Sequence, residues 1–316
     1  MILTVTLNPA IDVSMEVNGL QPGAVNRARN VKRVIGGKGI MVSRMLAKLK
    51  AKSVALTFAA GKCAEDMRDL AGEVGIDLHL TMPRCSNPGS VRINTHILDT
   101  RSGEHLKINQ PGEPMTADDW KSFRGVFDSL ARDAKLVCLC GSLPPQARRD
   151  RYAILTADAH ALGVPVLIDA NGPPLIAALK ENPEYVKLNR AELEETLGVA
   201  CVTLEDKLRG ARKLCKMGAG SVIVTDGGES AVAVTRDGEW VGSVKINQPI
   251  KGATGAGDCC TAGFAFEIVR GISFQNAFRF GLACGTASCL RQELEIPTRN
   301  DVMAVKKNVR VKRWIC

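Results

Sequence analysis

From about residue 50 onward the sequence repeats one pattern: a short unbroken apolar run, a polar loop, then an amphipathic stretch. The runs are AKLVCLCGS (134–142), GVPVLIDANG (163–172), YVKLN (185–189) and GSVIVTDGG (220–228). Unbroken Val, Ile and Leu mark strands covered on both faces, because a strand with one wet face alternates apolar with polar. Between the runs, ARRDRYAILTADAHAL (147–162), RAELEETLG (190–198) and LEDKLRGARKLCKMG (204–218) carry helical periodicity. Strands alternating with helices predict βαβ units, hence an α/β fold with a mostly parallel sheet. Ligands on such sheets bind at the carboxyl ends of the strands. The loops GSLPP, DANGPP, KLN and TDGG all follow strands and are expected on that edge.

Residues 11–36 and 88–110 break the pattern with polar, alternating stretches, SVRINTHILDT being the clearest. They predict a small antiparallel β-sheet built from two insertions and placed as a lid over the ligand edge. With no internal repeat and no long Pro/Ser linker, residues 1–316 are expected to form a single main domain plus this lid.

Composition narrows the function. Aromatic residues are only 4%, too few for the stacking platforms that bind single-stranded nucleic acid. No run approaches the roughly 18 apolar residues of a membrane span, and MILTVTLNPAIDV reads as a strand rather than a signal peptide. Lys+Arg 42 against Asp+Glu 33 gives a net charge of +9, which suits phosphorylated metabolites, nucleic acid or acidic surfaces alike. The one dense basic run, KKNVRVKR (306–313), reads as a solvated surface segment. Eleven cysteines without CxxC pairs fit buried thiols in a reducing cytoplasm rather than disulfides or zinc, and the four histidines lack ligand spacing. No nucleic-acid recognition motif or basic helix stands out, so neither nucleic acid nor a membrane is expected as a partner.

Two glycine stretches carry chemistry. In ATGAGD, Gly255 and Gly257 free the backbone N–H groups of residues 255–258 to approach an anion. The following DCCTAGFAFEIVRG predicts a helix closed by Gly271, whose N-terminal dipole would stabilise a phosphoryl group in transfer. Asp258 at its mouth stands where an acceptor hydroxyl needs a base. The competing reading is an ordinary N-cap on a glycine turn. In VIGGKGIMVSRMLAKL (34–49), Gly36, Gly37 and Gly39 surround Lys38 ahead of an amphipathic helix, without P-loop spacing. That opening can receive a sugar and its charged substituent, or be only a strand-to-helix turn. Asp12 of TLNPAID can accept hydrogen bonds from sugar hydroxyls. Arg92 and Asn94 share a strand face by their spacing of two, and Arg92 can hold a phosphate as a fork-shaped donor.

With TLNPAID, GGKG, GSLPP, KLNRAEL and GATGAGD in this order, the chain resembles the ribokinase-like (PfkB) carbohydrate kinases, closest to their 1-phosphofructokinase and tagatose-6-phosphate kinase branch. The resemblance implies a doubly wound α/β domain with a β lid, ATP as donor and Mg2+. It implies phosphoryl transfer to a ketohexose monophosphate, most simply fructose 1-phosphate, with tagatose 6-phosphate or fructose 6-phosphate as alternatives and a non-catalytic sugar-phosphate sensor as another. By similarity Asp258 is the base, and Gly255, Ala256 and Gly257 form the anion hole. Asp12, Gly37 and Lys38 would hold the sugar, and Arg92 and Asn94 its phosphate or neighbouring hydroxyls. By the same resemblance Asn109 of INQPG and Ser142 of GSLPP would be further sugar contacts. Lys187, Asn189 and Glu192 would lie near the nucleotide phosphates, with Glu192 acting indirectly on the metal. Thr225, Asp226, Gly227, Gly228, Glu229 and Ser230 match the nucleotide loop. Lids in this branch commonly pair between subunits, implying a homodimer. Met41 stands where the family usually has asparagine near the sugar, and a thioether offers neither the donor nor the acceptor of an amide. Cys140 and Cys259 replace usual serines, Leu188 a proline, and Asp226 an apolar residue.

Overall fold

The computed structural model describes residues 1–59, 61–82 and 91–315. Strand β1 (Ile2–Thr6) opens the main sheet, and the chain then leaves it for β2 (Ala10–Val17) and β3 (Arg29–Gly36). It returns through α1 (Lys38–Lys48) to β4 (Ser53–Phe58), and α2 (Gly61–Val74) leads to β5 (Asp77–Thr81). A second excursion makes β6 (Arg92–Asp99) and β7 (His105–Asn109) before α3 (Ala117–Ala131) and β8 (Leu136–Cys140). Next come α4 (Arg151–Ala161), β9 (Val166–Asp169), α5 (Gly172–Ala178), β10 (Tyr185–Asn189), α6 (Arg190–Leu197) and α7 (Leu204–Lys216). The meander β11 (Ser221–Thr225), β12 (Ala231–Thr235) and β13 (Gly238–Val244) follows, and then α8 (Ala256–Ile268), α9 (Phe274–Cys289), α10 (Arg299–Lys306) and β14 (Val309–Trp314).

The main sheet has ten strands in the order β14-β13-β12-β11-β10-β9-β8-β1-β4-β5. Pairing is parallel from β5 through β11 and antiparallel from β11 to β14. From β1 the chain builds outward through β4 and β5, then crosses to the other side of β1 with β8. That reversal leaves a crevice at the carboxyl ends of β1 and β8, the usual ligand position of an open α/β sheet.

The unbroken apolar runs have the expected cause. Leu3 and Val5 face a core that holds Phe123, Phe127, Tyr152 and Leu208 from α3, α4 and α7. Ile2, Leu136 and Cys138 face a second core with Val42, Met45, Phe264 and Phe278 from α1, α8 and α9. Burying each of these large side chains contributes about 1.5–3 kcal/mol. Cys138, Cys140, Cys201, Cys259, Cys260 and Cys284 are all buried, acting as small apolar groups. Helix α8 is buried on nearly every side. It packs against α9 through glycines: a Cβ on Gly281 would lie 2.8 Å from the Cys260 carbonyl oxygen, and one on Gly285 2.9 Å from that of Ala256.

A four-stranded second sheet has the order β3-β2-β6-β7. It is mixed rather than the expected antiparallel sheet: the hairpins β2/β3 and β6/β7 are antiparallel, but β2 and β6 pair in parallel. Both strands start at the ligand edge, Ala10 opposite Arg92, and run outward together. Residues 88–90 of the expected 88–110 segment lie outside the described residues. The basic run 306–313 lies at the surface as expected and is also structured. It closes α10 and forms β14, where Val309 is buried while Arg310, Lys312 and Arg313 remain exposed. Charges on an edge strand discourage pairing with another chain.

Candidate active site

Gly255 caps α8 in the left-handed conformation (φ +81°), a backbone region that a side chain disfavours. Asp258 follows in the first turn, only 8% exposed. A Cβ on Gly257 would lie 2.7 Å from Lys187 Nζ, so the ammonium sits against the helix mouth. Asp169, fully buried at the end of β9, organises the charges around it. It accepts hydrogen bonds from Lys38 Nζ (3.0 Å), Lys187 Nζ (3.0 Å) and Thr261 Oγ1 (2.6 Å). Burial alone would raise its pKa, but the two ammonium groups and the Thr261 hydroxyl hold it below the usual carboxylate range. Burial would likewise lower the Lys38 and Lys187 pKa values, yet Asp169 keeps both above the ordinary lysine value. Asp258 goes the other way. Burial first, then the charge of Asp169, push it up to about 7 against the pull of Lys38 and Lys187.

The second glycine stretch brings α1 against β1. Gly37 (φ +106°) would place a Cβ 2.8 Å from Thr6 Cγ2, and a Cβ on Gly36 would collide with the Asp12 carboxylate. Asp12 is 5% exposed and accepts from Asn94 Nδ2 at 2.8 Å; burial raises its pKa. Arg92 and Asn94 do share the inward face, opposite Ala10 and Asp12. Arg92 spends part of its fork on backbone, donating through Nη2 to the Asn8 carbonyl (3.0 Å) and through Nε to that of Pro9 (3.3 Å). Asn109 pairs with Asn94 in register but is exposed. Ser142 accepts from Asn8 Nδ2 at 3.1 Å, and the same amide reaches the Pro111 carbonyl at 3.2 Å, joining GSLPP to INQPG. Gly141 lies against Lys38, where its Cβ would be 3.4 Å from Lys38 Cβ, and Tyr152 fixes that turn by donating to the Gly141 carbonyl at 2.9 Å. Met41 is buried with its methyl beside Gly255, where a Cβ would lie 2.7 Å away.

On the other flank, Asn189 and Glu192 form the capping box of α6. Glu192 uses one carboxylate oxygen there and accepts from Lys38 Nζ at 2.6 Å with the other. Residues 225–230 follow β11 at the same sheet edge, Thr225 opposite Asn189. Asp226 is not left facing a ligand: Arg190 Nε (2.9 Å) and Lys207 Nζ (2.9 Å) take its two oxygens. Lys207 also donates to the Ser230 carbonyl at 2.8 Å, so this buried ammonium closes the loop. Gly227, Gly228 and Glu229 are exposed at its tip.

Residues 5–300 match the model of the pfkB family carbohydrate kinases. The chain belongs to that family. It is 31% identical to the 1-phosphofructokinase of Bacillus subtilis over 313 residues, 99% of this chain and 100% of the relative. It is 36% identical to that of Xanthomonas campestris over 276 residues, 84% of each chain. The crystal structure of a protein from Thermotoga maritima, described as a possible 1-phosphofructokinase, superposes with a TM-score of 0.90 at 27% identity, covering 100% of both chains.

For a pfkB kinase, the sequence reading missed several groups. Asp169 had a signal, an acid closing an otherwise apolar strand run at the ligand edge. Asn8 lies inside TLNPAID, but its bridge between two distant loops has no local signature. Arg44 Nε and both ring nitrogens of His96 are buried without a hydrogen-bond partner. Among the described residues, seven buried side-chain polar atoms lack a partner, and five belong to Thr6, Arg44, Asn94 and His96. Asp12 feels the charges of Arg44 and His96, so most of these atoms gather around that carboxylate. Polar atoms buried without partners carry a desolvation cost that a polar ligand or water relieves. Among the described residues no group of three or more His, Cys, Asp or Glu could hold a metal ion, and no helix is long and apolar enough to cross a membrane.

Proposed function

We propose that the protein transfers the γ-phosphoryl group of ATP to the free primary hydroxyl of fructose 1-phosphate, giving fructose 1,6-bisphosphate and ADP. The observation that carries this reading is Asp258, buried at the glycine-cleared mouth of α8 with its pKa pushed up to about 7. A base poised near the working pH accepts a proton efficiently and stays ionised often enough to act. Asp258 takes the acceptor hydroxyl proton as that oxygen bonds the γ-phosphorus, and the bond from phosphorus to the bridging oxygen of ADP breaks in line. The N–H groups of residues 255–258 and the Lys187 ammonium offset the charge on the moving group. Lys38, held between Asp169 and Glu192, sets the potential on the sugar side.

Asp12, Asn94 and the unpartnered atoms beside them receive sugar hydroxyls, and the free part of the Arg92 fork receives the sugar phosphate. The glycine tip at 227–228 follows the nucleotide. A cavity of about 360 Å³ with an apolar floor of Ala287, Leu290 and Val305 and the amides of Asn247, Gln248 and Asn308 has the chemistry for the base. Mg2+ fits as the companion of the triphosphate, because this cation keeps waters and phosphate oxygens rather than a protein cage; Glu192, whose two oxygens take Lys38 Nζ and the Asn189 N–H, would act on it only indirectly. When bound it would supply positive charge across the phosphates. The second sheet acts as the lid. Its outer face exposes Ile93, Leu106 and Ile108, an apolar patch suited to the lid of a second copy in a homodimer. The buried thiols accord with a cytoplasmic location.

An ADP-release assay over fructose 1-phosphate, fructose 6-phosphate, tagatose 6-phosphate and unphosphorylated fructose tests the reading. The expected order puts fructose 1-phosphate first. A preference for unphosphorylated sugar would remove the role given to Arg92. Tight sugar-phosphate binding without ADP at any concentration would make the protein a sensor.

A further inference from the structure

The loop after α9, residues 292–295, has no part in the chemistry above, yet three parts of the molecule grip it. One cross-strand row of the second sheet runs Lys32, Ser14, His96, Lys107, on the same face as Asp12 and Asn94. Lys32 Nζ lies 3.0 Å from Glu295 Oε1, His96 Nδ1 3.7 Å from Glu293 Oε1, and Lys107 Nζ 3.5 Å from that same Glu293 oxygen. Lys107 Nζ also donates to Thr254 Oγ1 at 2.6 Å, and Thr254 Oγ1 donates in turn to Glu293 Oε1. Thr254 is the residue directly before Gly255, the cap of α8. Beneath, Arg44 of α1 holds the loop backbone through Nη2 to the Leu294 carbonyl at 3.0 Å, and its Nη1 reaches Met41 Sδ at 2.9 Å. Glu293 thus touches the lid and the phosphoryl turn at once, with a side chain only 12% exposed.

We propose that Glu293 is a positioning residue that ties lid closure to the geometry of the phosphoryl-transfer turn, acting through Lys107 and Thr254. The inference rests on the kinase reading given above. Every residue of β7 is exposed and the strand lies at the sheet's edge, so it belongs to the part of the fold that opens most easily. Lys107 pins that edge to the core. When the lid lifts, Lys107 leaves both partners, and Thr254 keeps only its bond to Glu293, so the backbone entering Gly255 is held by one side-chain contact instead of two. The N–H groups of the anion hole then lose their fixed aim. A hole completed only under a closed lid favours transfer to the bound sugar over transfer to water.

The test uses the full chain with Lys107→Met, Glu293→Gln and the double variant. Each single change is expected to lower kcat about tenfold, the scale of one charge-assisted hydrogen bond in a partly exposed setting, with KM for ATP held within about twofold. Because the groups act as one chain, the double variant should be no worse than the poorer single variant. Single effects that multiply in the double variant would overturn the tie. A second readout needs no turnover: amide hydrogen exchange at residues 105–109 should be about tenfold faster in Glu293→Gln than in the wild type. Unchanged exchange there overturns the proposal whatever the activity. A wild type inactive on every sugar phosphate would end the kinase reading, while exchange would still decide whether Glu293 pins the lid.

Discussion

Replacing Asp258 by asparagine keeps the side chain's shape and removes its ability to take a proton. In the wild type the carboxyl stands at about 7, raised by burial and by the charge of Asp169 and restrained by Lys38 and Lys187. The base must be ionised, so kcat/KM, which reports the free enzyme, should rise with pH through this value. The ionised share goes from roughly one-tenth at pH 6 to roughly nine-tenths at pH 8, predicting about a tenfold rise in kcat/KM. Loss of a general base costs about 10²–10⁴ in rate, so Asp258→Asn should fall by that factor. Its residual rate should be flat between those pH values, because no other group supplies the proton acceptor. Nucleotide affinity should persist, since the triphosphate meets backbone N–H groups and Lys187 rather than the carboxylate. The assay is ADP release at sub-saturating ATP and sugar phosphate across pH 5.5–8.5, with nucleotide affinity measured by calorimetry. The substrate's own phosphate titrates near about 6, and the asparagine variant separates that ionisation from the enzyme's. A variant with near wild-type turnover, or with the wild-type pH limb intact, would refute the assignment.

Gly257→Ala should cost little stability, since the added Cβ meets only the tip of Lys187, but should lower kcat about 10–100-fold by displacing that ammonium from the anion hole; thermal denaturation beside kinetics checks this, and a large drop in Tm would argue for a packing role. Met41→Asn should alter the ratio of kcat/KM between fructose 1-phosphate and fructose 6-phosphate, because this side chain lies between α1 and Gly255; an equal change for both sugars would remove it from acceptor choice. Leu106→Glu combined with Ile108→Glu should convert a dimer to a monomer in sedimentation experiments, as two charges cannot be buried in the lid's apolar outer face; an unchanged assembly would place the interface elsewhere.

Elements with strong periodicity were readable from the residues alone. YVKLN coincides with β10, and 134–142, 163–172 and 220–228 contain β8, β9 and β11 trimmed at both ends. The helix expected from Asp258 begins two residues earlier, at Ala256, because the turn made by Gly255 already sets its first N–H groups. The mixed pairing of the second sheet was not readable. It depends on two distant hairpins leaving the same edge in the same direction, and neither hairpin carries that information. That the basic run 306–313 also forms an edge strand was not readable for a related reason: its alternate valines pack only once β13 is beside them.

What the sequence determined by itself was local: strand or helix, the glycines that admit an anion, and the order of motifs that marks the family. These follow from backbone sterics and side-chain periodicity acting over a few residues. How the acids along the ligand edge differ was decided only by the tertiary structure. Asp169, Glu192 and Asp226 are each taken up by lysine or arginine, whereas burial and the charge of Asp169 raise the pKa of Asp258. That outcome turns on contacts such as Lys38 to Asp169, 131 positions apart in the chain. Charges interact through distance in space, and only the packed sheet and its two helical faces set those distances.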